Sequence, residues 1–135
     1  MMTNNKALVQ DFFYSNYYHD KSTFEQFIHP DLMIDWSSST GFYRLNFKKF
    51  SKMALDMGKS FQNMSPQISH LLEEDNKVCV RFTYNVETLE SEDLISLADF
   101  FCIWEIKDNK LYKGYIMSQP CDDGIDGMLS FINES

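Results

Sequence analysis

The chain is predicted to be an α+β protein, with helices leading into an antiparallel sheet. Three observations predict this. Apolar residues recur at helical spacing through the first 60 residues, alternate at a period of two after Pro66, and pause at hairpin-type turns such as Asp108-Asn109. The 135 residues fit one domain spanning 1–135, with a fold core over about 5–119 and a tail over 120–135.

The spacing predicts a first helix over 5–18. Leu8, Val9, Phe12, Phe13 and Tyr17 share one face, while Tyr14 and Tyr18 lie off that stripe. A second, short helix begins at Ser22, which has capping-box spacing to Glu25. Phe24, Phe27 and Ile28 form its apolar face, and it stops at His29-Pro30 because the residue before proline avoids the helical region. Leu32 to Trp36 reads as a short strand and Ser37 to Gly41 as a loop. A third helix is expected over about 44–60. Its stripe is Phe47, Phe50, Met53, Ala54, Met57 and Phe61, with Lys48, Lys52 and Lys59 on a solvated face.

After Pro66, Ile68, His70 and Leu72 alternate with polar neighbours, which places His70 on the apolar side of a strand. A turn at Glu73 to Asn76 leads to a half-buried strand in which Val78, Val80, Phe82, Tyr84 and Val86 face one way. The acidic loop Glu90 to Asp93 precedes a long strand over 94–107, and a last strand runs from Lys110 to Gln119. A plain two-residue hairpin sets Trp104 opposite Lys113, Cys102 opposite Tyr115 and Phe100 opposite Met117. Phe100, Cys102, Trp104, Ile106, Leu111, Tyr115 and Met117 then form the core face. Asp99, Phe101, Ile103, Glu105, Tyr112 and Ile116 form the outer one. That outer face is apolar enough to call for a cover, the simplest being a second copy of the chain. Met128, Leu129, Phe131 and Ile132 give the tail an amphipathic turn.

Composition narrows the function. Twenty acids against 12 bases give a net charge of −8, and the only arginines are Arg44 and Arg81. Nucleic acids and anionic membranes are not expected partners, since both are held by Lys and Arg. Hydrophobic residues at 44% are ample for a core, and no apolar run reaches the ~20 residues of a membrane span. The residues from Met1 to Lys6 lack the apolar stretch of a secretion signal, so a cytoplasmic location is expected. Cys79, Cys102 and Cys121 have no C-x-x-C spacing, and no His, Asp or Glu cluster has metal-ligand spacing; no metal or cofactor is implied.

With this element order, the chain resembles the nuclear transport factor 2-like superfamily and its SnoaL-like branch. The resemblance rests on His29-Pro30-Asp31 at the second helix's end, on Gly41 ahead of Phe47 and Phe50, and on two hairpin phrases, Leu71 to Val80 and Trp104 to Leu111. It implies a cone in which a curved antiparallel sheet wraps the N-terminal helices around an apolar pocket. Such folds host ketosteroid isomerases, scytalone dehydratase, limonene epoxide hydrolase, polyketide cyclases and proteins without catalysis, so the fold alone names no reaction.

Laid on the isomerase pattern, the donor tyrosine falls on Phe12, the strand base on Trp36 and the protonated acid near Cys102. All three roles are unfilled. Asp35, one residue from the base position, and His70, on the apolar side of its strand, are the candidate acid–base groups. The last strand has no Asp, Glu or His for cyclase chemistry, and Arg81 faces away from the site an epoxide hydrolase needs. Tyr14, Tyr18, Tyr84 and Tyr115 are candidate donors into the pocket, with Trp36, Phe100, Cys102 and Trp104 as candidate walls. For each of these residues ordinary core packing or capping is the competing explanation. Three readings follow: a binder of a small apolar molecule, an isomerase, dehydratase or cyclase using Asp35 or His70, and an interaction module acting through the outer sheet face as a homodimer.

Overall fold

The computed structural model describes residues 4–89 and 94–121. Three helices, α1 (Asn5–Tyr14), α2 (Lys21–Phe27) and α3 (Phe47–Ser60), accompany six strands. The strands are β1 (Ile28–Ser38), β2 (Gly41–Asn46), β3 (Phe61–Glu74), β4 (Lys77–Thr88), β5 (Leu94–Lys107) and β6 (Lys110–Pro120). They form one sheet in the order β2-β1-β6-β5-β4-β3, in which only the β1–β6 pair is parallel. α3 packs against β1 and β2 at one edge and against β3 at the other. One helix reaches both edges because the sheet curls around it. The expected α+β cone is therefore present, with the sheet unclosed.

Bulges supply the curl. Register shifts interrupt β3–β4 between Ile68 and His70, β4–β5 between Tyr84 and Asn85, and β5–β6 between Glu105 and Ile106. Each adds a residue to one strand and bends it.

Helix ends differ from expectation for local reasons. α1 stops at Tyr14 because Ser15 turns out of the helix, its hydroxyl donating to the Phe12 carbonyl at 2.6 Å. Tyr17 and Tyr18 are thus buried from a turn rather than from a helix face. Asp20, not Ser22, caps α2, accepting from the Ser22 and Thr23 N–H groups. His29-Pro30 lies inside β1, in the stretch between Ile28 and Met33 where pairing with β6 lapses. Proline has no N–H to donate to the ladder there. The Ser37 to Gly41 loop is shorter than expected: Gly41, at φ +145, opens β2, and α3 begins only after Asn46, whose side chain accepts from the Lys49 N–H. β3 starts at Phe61, ahead of Pro66, which this edge strand tolerates.

The β5–β6 hairpin carries the most consequential correction. Asp108 and Asn109 both adopt positive φ, as a two-residue type I′ turn requires. Glu105 nevertheless pairs with Lys113 while Ile106 pairs with Leu111, so Tyr112 is the extra residue. Trp104 then faces Gly114, Cys102 faces Ile116 and Phe100 faces Ser118. Tyr115 and Met117, expected in the core, are 41% and 66% exposed, whereas Ile116 is buried. Phe100, Cys102, Trp104, Ile106 and Leu111 are buried as expected. The acidic loop 90–93 and the tail's amphipathic turn lie outside the described residues. No helix among the described residues is long and apolar enough to cross a membrane.

Trp104 is fully buried, and its six-membered ring lies over Gly114. A Cβ at Gly114 would stand 2.5 Å from Trp104 Cζ3. Gly114→Ala is expected to cost about 1–3 kcal/mol in urea unfolding through overpacking. Trp104→Phe introduced beside it should recover part of that loss, and a plain sum of the two single costs would show that this contact is not the cause.

Candidate functional site

The floor of the cone comes from β4, β5 and β6, whose alternate residues point inward: Phe82 and Tyr84, Phe100, Cys102 and Trp104, and Ile116. β1 adds Trp36. The lid comes from Phe50, Met53 and Met57 of α3, and Phe13 and Tyr17 close the far side. These side chains surround a cavity of about 30 Å³, room for about two water molecules. The aromatic wall is continuous: Phe82 and Phe100 stack at 5.1 Å, and Phe13 sits 4.6 Å from Phe82.

Polar atoms here are few. The Tyr17 and Tyr84 hydroxyls share a buried hydrogen bond of 2.8 Å. Burial pushes both phenols well above their ordinary range, so neither ionises near neutral pH. The Cys102 thiol is likewise raised by burial and stays protonated. Trp36 Nε1 donates to Ser118 Oγ at 2.8 Å. The Trp104 Nε1–H is buried with no hydrogen-bond partner among the described residues, in a side chain that lines the cavity.

Of the residues singled out from sequence, Trp36, Tyr84, Phe100, Cys102 and Trp104 are brought together on this cavity. The others are not. Tyr18 is buried but tied off, its hydroxyl accepting from the Met64 N–H at 2.8 Å and donating to the Met64 carbonyl at 3.2 Å. Tyr14 is 55% exposed, because α1 ends there and the residue sits off its apolar stripe. Tyr115 lies on the outer face, donating to Glu105 Oε2 at 3.2 Å. Burial first, then the Glu105 and Asp35 charges, raise its phenol.

Neither candidate acid–base group enters the cone. Asp35 pairs across the β1–β2 hairpin with Arg44, Oδ1 to Nε at 2.8 Å, on the side of β1 opposite Trp36 and Ile34. Adjacent strand residues face opposite ways, and no slip of register rescues it. His70 is exposed, not on the apolar side. The bulge at Ser69 turns it outward opposite Arg81, and its Nδ1 lies 3.0 Å from Ser69 Oγ. Among the described residues, no group of three or more His, Cys, Asp or Glu could hold a metal ion.

Several lining residues escaped the sequence reading: Tyr17, Phe13, Phe82 and the α3 methionines. Their signal was present, since Phe13 and Tyr17 are four apart on the first helical stripe and Met53 and Met57 four apart on the third. Nothing in periodicity separates a cavity wall from core packing.

A second concavity adjoins the first. β2 and the N-terminal half of α3 enclose a groove of about 460 Å³ lined by Tyr43, Arg44, Lys49, Lys52, Met53 and Asp56. Met53 borders both spaces.

No protein-family model matches the chain, and no curated protein matches it. Solved structures do. IdmH of Streptomyces antibioticus, described as a proposed polyketide cyclase, superposes with a TM-score of 0.70 at 12% identity, over 96% of this chain and 99% of its own. A proposed SnoaL-like polyketide cyclase from Jannaschia gives 0.64 at 10% identity, over 94% and 90%. An NTF2-like protein of unknown function from Burkholderia pseudomallei gives 0.62 at 14% identity, over 97% and 98%. The fold is therefore NTF2-like, of the SnoaL-like kind, across nearly the whole chain.

The hydroxyl pair predicts a non-additive mutant cycle. Tyr84→Phe leaves the Tyr17 hydroxyl buried and unbonded, at a cost of about 1–3 kcal/mol in thermal unfolding. Adding Tyr17→Phe should return most of that stability, since no orphaned hydroxyl remains. Equal costs for the second and first substitutions would show that the 2.8 Å contact carries no coupling.

Proposed function

We propose that this chain is a non-catalytic protein of the SnoaL-like class that takes a small, uncharged, largely apolar group into the cone. Similarity to structures described as polyketide cyclases supports small-molecule work as the coarse class. Against catalysis stands the lining itself. Acid–base chemistry needs a titratable group within hydrogen-bond reach of the reacting atom, and the cone is walled by aromatics, methionines, a raised thiol and two raised phenols.

The observation that carries the reading is the unpartnered Trp104 Nε1–H. A buried donor without a partner costs about 1–3 kcal/mol. A carbonyl or ether oxygen brought in by a ligand removes that cost, while the carbon frame lies against Phe13, Phe82 and Phe100. Entry requires expansion, because about 30 Å³ admits no ring. Met53 and Met57 suit that demand: their side chains are unbranched and rotate easily. The free Cys79 and buried Cys102 thiols suit a reducing compartment such as the cytoplasm.

The test is an indole N–H titration by NMR with cyclohexanone. The chain has two tryptophans. The Trp104 signal is expected to move downfield as its N–H gains an acceptor, and to move further than the Trp36 signal, whose N–H already donates to Ser118. A Trp104 resonance that stays fixed up to the solubility limit of the ketone would overturn the reading.

A second reading concerns the outer sheet face. Leu72, Ile103, Phe101, Tyr115 and Met117 are all exposed there, on adjoining strands. A contiguous apolar patch of that kind marks an interface, and we infer that a second copy covers it. Ile103→Glu is expected to give a monomer by light scattering with an unchanged far-UV circular dichroism spectrum. A variant that is still dimeric counts against this face. A charge at Ile116 tests something else, since Ile116 is in the core and its loss unfolds the cone.

A further inference from the structure

One side chain is common to the linings of the cone and of the basic groove outside it. Met53 lines both, and it is 7% exposed. On the inner side lies an apolar space of about 30 Å³. On the outer side lies a groove of about 460 Å³, within the size range of small-molecule sites. Methionine is unbranched and changes rotamer readily, so it is the residue type whose displacement could join the two.

The groove reverses the sign of the chain around it. Overall the protein carries −8, yet the groove is lined by Arg44, Lys49 and Lys52 against the single carboxylate of Asp56. Asp56 is engaged on both oxygens, by Lys52 at 3.1 Å and Lys59 at 3.8 Å. Arg44 gives its Nε to Asp35, leaving its terminal nitrogens for another partner. Lys49 makes no ion pair among the described residues, and only its backbone N–H is used, by the Asn46 cap. Phe42 and Tyr43 supply aromatic wall beside these cations.

We propose that the ligand is an apolar acid that spans both spaces. Its neutral ring system lies in the cone and its carboxylate or sulfonate lies in the groove, held by Lys49, Lys52 and Arg44, with Met53 displaced between them. The proposal rests on the cone-binding reading and adds the anionic end. It also explains how a chain with so acidic a balance takes an acid: the attraction is local, and a Debye length of about 8 Å confines the long-range repulsion.

A fluorescence pair tests it. 8-Anilinonaphthalene-1-sulfonate is an apolar acid, and N-phenyl-1-naphthylamine is the same frame without the sulfonate. Both are titrated against the intact protein, Lys49→Ala/Lys52→Ala, Met53→Ala and the outer-face variant Phe101→Ser, with folding checked by circular dichroism. The double lysine variant is expected to weaken the sulfonate dye at least about threefold, in line with two partly solvated ion pairs, and to leave the neutral dye unchanged. Met53→Ala should strengthen both dyes. If the lysine change moves neither dye while Met53→Ala strengthens both, the anionic end is wrong and the cone reading stands. If the lysine change weakens the sulfonate dye but Met53→Ala moves nothing, the dye sits in the groove alone and the joined site is overturned. If only Phe101→Ser matters, the dyes bind the outer face and both readings fall. The lysines are exposed, so their variant tests the anionic end even if Met53→Ala fails to fold.

Discussion

One extra residue in β6 decides what the cone contains. Tyr112 has no partner of its own between the Glu105–Lys113 and Ile106–Leu111 pairs, and everything after it on β6 is turned by one position. Without that bulge, Gly114 would not lie beneath Trp104, and the indole would meet a side chain where it now meets backbone. Ile116 would leave the core, and Ser118 could not receive the Trp36 N–H. Met117 and Tyr115 would fill the cavity that Cys102, Trp104 and Ile116 now line. The bulge also sharpens the local bend, helping the sheet to curl until α3 touches both of its edges. Shape, cavity and outer surface thus descend from the same insertion.

The chemistry of the cone follows from what that register leaves inside. Every titratable group it admits is one that burial drives toward its neutral form: two phenols and a thiol. The two candidate acid–base groups sit where strand alternation and a bulge turn them out, Asp35 against Arg44 and His70 beside Ser69. An interior of this kind solvates no developing charge, because an isolated ion there is too costly to form. Lys49 and Lys52 of α3 lie outside it, on the groove side of Met53.

Most of the fold was legible in the sequence because burial imposes periodicity. The stripes of α1 and α3 and the alternation of β4 and β5 each come from one face meeting a core. What escaped were features set by single residues. The Ser69 and Tyr112 bulges shift a strand by one place, and nothing in an alternating pattern announces where the extra residue falls. That is why periodicity puts His70, Tyr115 and Met117 on the wrong face, while Phe100, Cys102 and Trp104, which follow β5's own bulge at Leu97, keep an unbroken alternation and fall on the right one. β2 escaped because a strand of six residues beside a turn carries too short a pattern. Tyr17 was legible as core but not as the partner of Tyr84, since a contact 67 positions apart leaves no local trace.

α3 shows why a solvated charge row and a cavity lid belong on one helix. Its buried stripe of Phe50, Met53, Ala54 and Met57 closes the cone, and the adjacent turn presents Lys49 and Lys52 to the groove against β2. A helix carries neighbours three and four positions apart on one side, so Lys49, Met53 and Asp56 come together by spacing alone. Helix geometry thereby sets the distance between the apolar interior and the cations outside it. Leucine at position 53 would pack more stiffly, whereas the unbranched methionine repacks readily at a modest cost in specificity of packing. The polar and apolar faces of this one helix thus border the groove and the nearly filled cone in turn.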